Sequence, residues 1–248
     1  MPRFFIDSAD MPTDGYCLRD RIHILGEDAS HISRSLRMKA GESLVLCDCC
    51  GRDYYTVIES ISGGEVIARV EEVQSSRGEP PYRVTVYQGL LKGDKMDTVV
   101  QKSVELGAEL IIPVRCKNSV AKLDDEAAKK KIPRWQKIAS EAAKQCGRGK
   151  LPRVGMPLSF DEMKGEMKSC DVTFACYEAE KQHSVKQLLK RDFGSISFFI
   201  GPEGGLSPEE CESLASSCIP LVTLGTRILR AETAAATVLS MLAYEKEL

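Results

Sequence analysis

The spacing of hydrophobic and polar positions along the 248-residue chain changes once, near residue 75. Before that point, one amphipathic helix precedes three apolar–polar alternations of the kind found in β-strands. Gly63-Gly64 suits a tight hairpin between the last two strands. The predicted helix covers about residues 28–38, and the predicted strands cover about residues 43–48, 53–61 and 65–73. This pattern predicts a small barrel-like β module.

The stretch from Gln74 to Pro81 combines small polar residues, a glycine and a proline pair, which is typical of a linker. After it, strand-like runs alternate with helical ones, and this alternation predicts parallel strands joined by right-handed crossovers. The strands are predicted at about residues 82–89, 109–114, 172–176, 196–200 and 221–224. Helices are predicted at about residues 94–106, 134–146 and 231–247, and two more begin near Ser184 and Ser207. We therefore expect two domains, residues 1–75 and residues 76–248.

Two glycine-bearing loops stand near the C-terminus, each between a predicted strand and a predicted helix. In FIGPEGGLSPEE the predicted strand ends at Ile200, before Gly201-Pro202, and Ser207, Pro208 and Glu210 form a helix-start signal with a capping box. In LGTRILRAETAAAT the strand leads to Gly225, and the helix starts near Ala231. Glycine loops at the carboxyl ends of neighbouring strands are where α/β sheets bind ligands. The two loops therefore predict a cofactor site.

Several classes of ligand are excluded because the sequence lacks their motifs. It contains no GxGxxG fingerprint after a first strand, no P-loop, no HExxH and no GxSxG. A ligand held by backbone groups and apolar side chains remains. Adenosine carrying a thioether or a sulfonium fits this description, and so do other nucleotides.

Charge is distributed unevenly along the chain. Residues 79–154 hold 16 Lys and Arg against 9 Asp and Glu, whereas the segments before and after are acidic, and the whole chain has a net charge of −2. A basic middle segment indicates a polyanionic partner such as nucleic acid, and a solvated helix face is the alternative. The ten cysteines lack the spacing of a zinc site, so we expect thiols and no metal.

The N-terminus carries Arg3, Asp7 and Asp10 where a signal peptide has an uninterrupted apolar core. No apolar run approaches the roughly 20 residues of a membrane span. We therefore expect a cytoplasmic protein with no membrane partner.

The paired segments FIGPEGGLSPEE and LGTRILRAETAAAT resemble the cofactor-binding core of the SPOUT methyltransferases. The chain is similar, more specifically, to the family that methylates N3 of a uridine in 16S (small-subunit) ribosomal RNA. MPRFF, HISRSLRMKAGE, QGLLKGDKMDTVVQKSVELGAELIIPV and RWQKIASEAAKQCGRGKLP extend the resemblance over nearly the whole chain. It implies an α/β fold: an N-terminal PUA-like β-barrel that binds RNA, and a C-terminal parallel-sheet domain tied in a deep trefoil knot. It also implies a homodimer acting on 16S rRNA or the small ribosomal subunit.

The resemblance further implies that S-adenosylmethionine binds in the knot. The matching cofactor-binding positions are Gly201, Glu203, Gly204, Gly205, Leu224, Gly225, Ile228, Leu229, Arg230, Thr233 and Ala234. Leu224, Ile228 and Leu229 are expected to enclose the adenine. The candidate RNA contacts are Arg3, Arg34, Arg37, Lys95 and Arg148.

Methylation of N3 requires the loss of a weakly acidic proton, so it needs a base or donors that stabilise the uracil anion. We assign Arg230 the catalytic role of stabilising that anion or its phosphate, because arginine suits planar and phosphate recognition. Glu203 and Glu232 are candidate bases by sequence proximity alone. A SPOUT enzyme for another RNA position, such as a ribose 2′-hydroxyl, and a non-catalytic RNA-binding homologue are the alternative functions.

Overall fold

The computed structural model of the protein describes residues 1–6, 12 and 14–248; Asp7 and Asp10 lie outside the described residues. The chain divides into two compact units. The first contains Met1–Glu79 and Ala143–Leu151, and the second contains Pro80–Ala142 and Pro152–Leu248. The chain therefore returns to the first unit at residues 143–151, which a linear division of the sequence does not anticipate. Among the described residues, no helix is long and apolar enough to cross a membrane.

A five-stranded sheet forms the first unit. Its strands are β1 (Arg3–Phe5), β2 (Arg21–Ile24), β3 (Ser43–Cys47), β4 (Arg52–Ser62) and β5 (Glu65–Ser75), in the order β1-β3-β4-β5-β2. The pairing of β1 with β3 is parallel, and the other pairings are antiparallel. Gly63 and Gly64 adopt positive φ between β4 and β5, which glycine tolerates best. The predicted hairpin is confirmed.

One helical stretch covers this sheet. It begins with α1 (Gly26–Ser30) and continues as a π-helical turn over His31–Ser35. Ala29 and Ile32 are buried in the core of the unit together with Phe4, Leu46 and Tyr54. Arg34 and Arg37 are exposed to solvent. The predicted amphipathic helix is therefore present, but it ends at Ser35, so Arg37 follows the helix instead of lying on it.

Two of the arginines predicted to contact RNA are paired within the first unit. Arg148, whose side chain is only 3% exposed, donates to both carboxylate oxygens of Glu79 at 2.8 Å. Arg3 donates to Asp53 at 3.0 Å and to the Arg148 carbonyl at 3.0 Å. Bidentate pairs of this kind are strong and directional. In this state both guanidinium groups hold residues 143–151 in place and are largely withdrawn from solvent.

An Arg148→Met variant is expected to lower the free energy of unfolding by about 2 kcal/mol, because Glu79 loses its charged partner in a partly buried site. Urea denaturation measures the loss. The matched control is Arg34→Met, which removes an exposed arginine and should change stability by less than about 0.5 kcal/mol. Equal stability of the two variants would contradict a structural role for Arg148.

A parallel sheet forms the centre of the second unit. Its strands are β6 (Arg83–Gly89), β7 (Leu110–Arg115), β8 (Arg153–Val154), β9 (Leu158–Ser159), β10 (Val172–Cys176), β11 (Ser195–Ile200) and β12 (Leu221–Val222). The order is β12-β10-β11-β6-β7-β8, and β9 also pairs with β7. All of these pairings are parallel, as the sequence predicted. β11 is buried along its whole length, which is typical of the central strand of a parallel sheet.

The helices of this unit are α2 (Lys95–Glu105), α3 (Asp125–Cys146), α4 (Phe160–Met167), α5 (Lys186–Leu189), α6 (Pro208–Ser216) and α7 (Ala231–Lys246). The end of α3, from Ala143, belongs to the first unit. The capping box predicted for α6 is present, with Ser207 and Glu210 bonded to each other's backbone amides. The prediction for α3 was too short, because the helix runs through Pro133 and begins at Asp125.

The two glycine loops do not follow neighbouring strands, and that part of the prediction was wrong. β10 lies between β11 and β12 in the sheet. The reason is that β11 occupies one edge of β10, and β12 pairs with the other edge. The loops after β11 and β12 therefore face each other across the carboxyl end of β10.

Candidate functional site

A cavity of about 460 Å³ lies where β10 and β11 end, beside the segment that follows β12. Parallel strands place their carboxyl ends at one edge of the sheet, so the loops after them converge there. The cavity is lined by Lys95 and by residues 176–178, 200–203, 205–206, 223–232 and 234. Both predicted glycine loops thus contribute to one site.

The loop after β11 needs glycine at two positions. Gly205 has a φ of +67°, and a Cβ there would stand 2.7 Å from Oε1 of Glu178. A Cβ on Gly204 would stand 2.7 Å from the carbonyl oxygen of Asn118, whose side-chain amide donates to the Gly204 carbonyl at 3.3 Å. At Gly204 the close neighbour is a backbone carbonyl that cannot turn aside, and at Gly205 the positive φ favours glycine.

The start of the same loop is fixed by the end of β6. Gln88 is fully buried, and its side-chain amide donates to the carbonyls of Ile200 at 3.4 Å and Gly201 at 3.3 Å. The next residue, Gly89, lies so close to this loop that a Cβ would stand 2.5 Å from the backbone nitrogen of Pro202. The floor of the cavity is therefore positioned by backbone contact with a neighbouring strand.

Glu203 is held by the start of α2. Its Oε1 accepts from the Lys95 ammonium at 3.0 Å and from the Lys92 amide at 3.1 Å. Partial burial opposes ionisation, but these hydrogen bonds outweigh it and lower the pKa of Glu203 below its ordinary value. Glu203 is therefore a paired carboxylate, and Lys95, predicted as an RNA contact, lies at the cavity wall beside it.

Of the eleven positions predicted to bind the cofactor, nine line the cavity: Gly201, Glu203, Gly205, Leu224, Gly225, Ile228, Leu229, Arg230 and Ala234. The other two are adjacent to it. Gly204 accepts from Asn118, and the Thr233 amide donates to the Arg230 carbonyl at 2.9 Å. Ile228, expected to enclose an adenine, is 81% exposed in this state.

Arg230 and Glu232 stand at the beginning of α7. Arg230 is the N-cap residue, and its carbonyl accepts from the Ala234 amide at 2.8 Å while its side chain is exposed at the cavity. Glu232 lies in the first helical turn and also lines the cavity. The helix thus presents one cation and one carboxylate to the same space.

Sequence reasoning missed the part of the cavity that β10 supplies. Cys176 ends that strand, and Tyr177 and Glu178 follow it. All three line the cavity, as does Arg227 from the second loop. No glycine marks the end of β10, and only its position in the sheet brings these residues to the site. The predicted strand at residues 172–176 could nonetheless have indicated them, because the carboxyl end of every parallel strand in such a sheet is a candidate for ligand contact.

Comparisons with known proteins agree with this arrangement. A family model described as an RNA methyltransferase domain matches residues 78–243, and one described as an RNA methyltransferase PUA domain matches residues 24–71. The ribosomal RNA small subunit methyltransferase E of Bacillus subtilis is 36% identical over 100% of this chain and 98% of that protein. The protein of the same name from Mycobacterium bovis is 30% identical over 86% of this chain and 82% of its own length.

A solved structure shares the fold over nearly its whole length. It is the crystal structure of a ribosomal RNA small subunit methyltransferase E from Neisseria gonorrhoeae bound to S-adenosyl methionine, with a TM-score of 0.86 and 27% identity over 98% of this chain and 97% of that one. The family resemblance drawn from the sequence motifs is confirmed. The chain belongs to the ribosomal RNA small subunit methyltransferase E family.

Proposed function

We propose that the protein transfers the methyl group of S-adenosylmethionine to N3 of a specific uridine in small-subunit ribosomal RNA. One observation carries the proposal: the two family-specific glycine loops converge on a single cavity at the carboxyl ends of the parallel strands. Membership of the family supports an rRNA methyltransferase activity. The N3 position rests on the sequence motifs, and methylation at another RNA position is the runner-up.

The cavity fits S-adenosylmethionine in chemistry. Backbone at Gly201, Gly205 and Gly225 permits close approach of a nucleoside, and Leu206, Leu224 and Leu229 supply apolar surface. Acidic and basic side chains both line the cavity. They suit the ammonium and carboxylate groups of the cofactor's amino-acid moiety. When bound, this cofactor supplies an activated methyl group, so the reaction needs no metal. Among the residues that the structure describes, no cluster of three or more His, Cys, Asp or Glu is arranged to hold a metal ion.

Arg230 is the residue we assign to the uracil. Its exposed guanidinium at the cavity can donate to a uracil carbonyl oxygen, where negative charge accumulates as N3 loses its proton. Donors held in place before the reaction cost little reorganisation when that charge develops. The backbone of Arg230 is fixed by the first turn of α7, which anchors the base of its side chain beside the cavity.

RNA binding is assigned mainly to residues 1–75, with residues 76–248 forming the catalytic domain. Arg34 and Arg37 are the exposed candidates for phosphate contacts, and Arg3, Lys95 and Arg148 contribute to RNA only if they exchange their present carboxylate partners. A deep trefoil knot around the cofactor, a homodimer and a cytoplasmic location complete the proposal. The return of the chain across β10 to reach β12 is compatible with such a knot.

In vitro methylation tests this function. The purified protein is incubated with labelled S-adenosylmethionine and either free small-subunit rRNA or assembled small subunits that lack the modification, and nucleosides are identified by mass spectrometry. The expected product is N3-methyluridine. A ribose-methylated nucleoside would support the runner-up. Absence of cofactor binding in a calorimetric titration would indicate a non-catalytic RNA-binding protein.

A further inference from the structure

Glu232 carries a buried acceptor atom that no described residue satisfies. It lines the cavity from the first turn of α7, and its Oε2 atom is inaccessible to solvent. Within the described ranges, 1–6, 12 and 14–248, no donor bonds to this atom. Buried polar atoms in native proteins are nearly always paired, so an unpaired one on a residue that lines a cavity calls for a partner, which a bound ligand can supply.

That partner must be a hydrogen-bond donor, since an ionised carboxylate only accepts. Rotation of the terminal carboxylate about its last side-chain bond has a broad profile, so either oxygen can turn to an incoming group. Arg230 lies two residues earlier in the chain and lines the same cavity. A uracil that places a carbonyl oxygen against Arg230 can therefore direct its adjacent N3–H towards the Glu232 carboxylate.

The other carboxylates of the cavity are less suited to take a proton. Glu203 is bonded to the Lys95 ammonium and the Lys92 amide, and these bonds lower its pKa below its ordinary value, so it is a weaker base than a free carboxylate. Glu178 is exposed to solvent beside Gly205, on the loop after β10. Glu232 alone among the three combines a place at the cavity wall with a buried, unpaired oxygen in the described structure.

We propose that Glu232 is the general base of the reaction, an assignment that rests on the proposed uridine-N3 methylation. The N3–H bond breaks, its electron pair stays on N3, and the proton passes to the Glu232 carboxylate. N3 then bonds to the methyl carbon as the sulfur–methyl bond of the cofactor breaks; the electron pair of that bond stays on sulfur, and S-adenosylhomocysteine leaves as a neutral thioether. The proton then leaves to water once the product has departed. Arg230 stabilises the uracil anion in the same step. Glu232 thus accepts the proton, and Arg230 compensates the negative charge that remains on the uracil.

A Glu232→Gln variant tests the assignment, because the amide keeps the shape of the side chain and cannot take a proton. Under single turnover at neutral pH, its methylation rate is expected to fall about 100-fold. The rate should then rise about tenfold per pH unit, since bulk solvent must remove the proton first. RNA carrying 5-fluorouridine, whose N3–H is more acidic, should restore most of the rate in the variant and change wild-type protein little.

Two comparisons separate a base from other roles. Calorimetric titration with S-adenosylmethionine should give the same Kd within about twofold for wild type and Glu232→Gln, whereas Glu203→Gln should weaken binding and show no 5-fluorouridine rescue. Glu245→Gln, an exposed change on the same helix, should behave as wild type in every assay.

Three results would overturn the assignment of Glu232. They are a variant rate within threefold of wild type, a loss matched by lost cofactor binding, and a loss of equal size at every pH and on both RNAs. A wild-type protein that forms no N3-methyluridine at all would instead contradict the proposed function.

Discussion

An Arg230→Ala variant is expected to bind S-adenosylmethionine nearly as well as wild type and to lose about 10²–10³-fold in the rate of methyl transfer. The guanidinium is exposed at the cavity, so its removal leaves no buried group without a partner. Its backbone carbonyl, which accepts from the amides of Thr233 and Ala234, is kept by alanine. The loss should therefore appear in the chemical step, where charge develops on the uracil.

Single-turnover methylation and calorimetric titration with the cofactor measure the two quantities separately. The matched control is Arg153→Ala, which removes an exposed arginine of the same unit from β8, outside the residues that line the cavity. This control should retain wild-type rates and binding. Full turnover by Arg230→Ala would exclude the residue from catalysis, and a parallel loss of cofactor affinity would assign it to binding instead.

Arg230→Lys distinguishes two ways in which this arginine can act. If its charge alone matters, lysine should restore much of the rate. If two parallel donors must meet a planar base, lysine should remain close to alanine, because an ammonium lacks the rigid fork of a guanidinium. The geometry proposed for Arg230 and Glu232 on one uracil favours the second result.

Elements fixed by local chemistry could be predicted from the sequence. Ser207 accepts from the Glu210 amide at 3.2 Å, and the Glu210 carboxylate accepts from the Ser207 amide at 2.9 Å, so α6 begins where its capping box predicts. The strand at Val172–Cys176 has the predicted bounds, because a short apolar run between polar residues permits few alternatives. Pro133 concealed the first part of α3, since proline usually marks a helix start or a break.

Pairings between distant residues could not be predicted. The partner of Arg148 is Glu79, 69 residues away, and a count of positive charges does not distinguish a buried, paired arginine from an exposed one. The same holds for Glu203 and Glu232, which look equivalent as candidate bases in the sequence. Only the fold brings the Lys95 ammonium to Glu203. Only the fold, likewise, buries Oε2 of Glu232 without a hydrogen-bond partner among the described residues.

The narrow spacing between β6 and the loop after β11 has a large expected consequence. A Gly89→Ala variant should lower the free energy of unfolding by about 3 kcal/mol and abolish measurable binding of S-adenosylmethionine. The added Cβ would stand 2.5 Å from the Pro202 nitrogen and 2.8 Å from the Gly201 carbonyl carbon, and backbone atoms cannot turn aside as a side chain does. The loop must therefore move, and it carries Gly201, Glu203 and Gly205 of the cavity wall.

Urea denaturation and calorimetric titration measure both effects, and Gly165→Ala is the matched control. Gly165 lies inside α4, where a Cβ would meet no heavy atom of the described residues within 4 Å apart from its chain neighbours and the backbone of its own helix. Alanine is the better helix former, so this variant should be more stable by up to about 1 kcal/mol and should bind the cofactor normally. If Gly89→Ala bound the cofactor with wild-type affinity, the loop after β11 would have to be adaptable, and the cavity would not depend on the close contact with β6. Loss of binding with little loss of stability would instead show that the loop can yield to the methyl group, but only in a position that no longer fits the ligand.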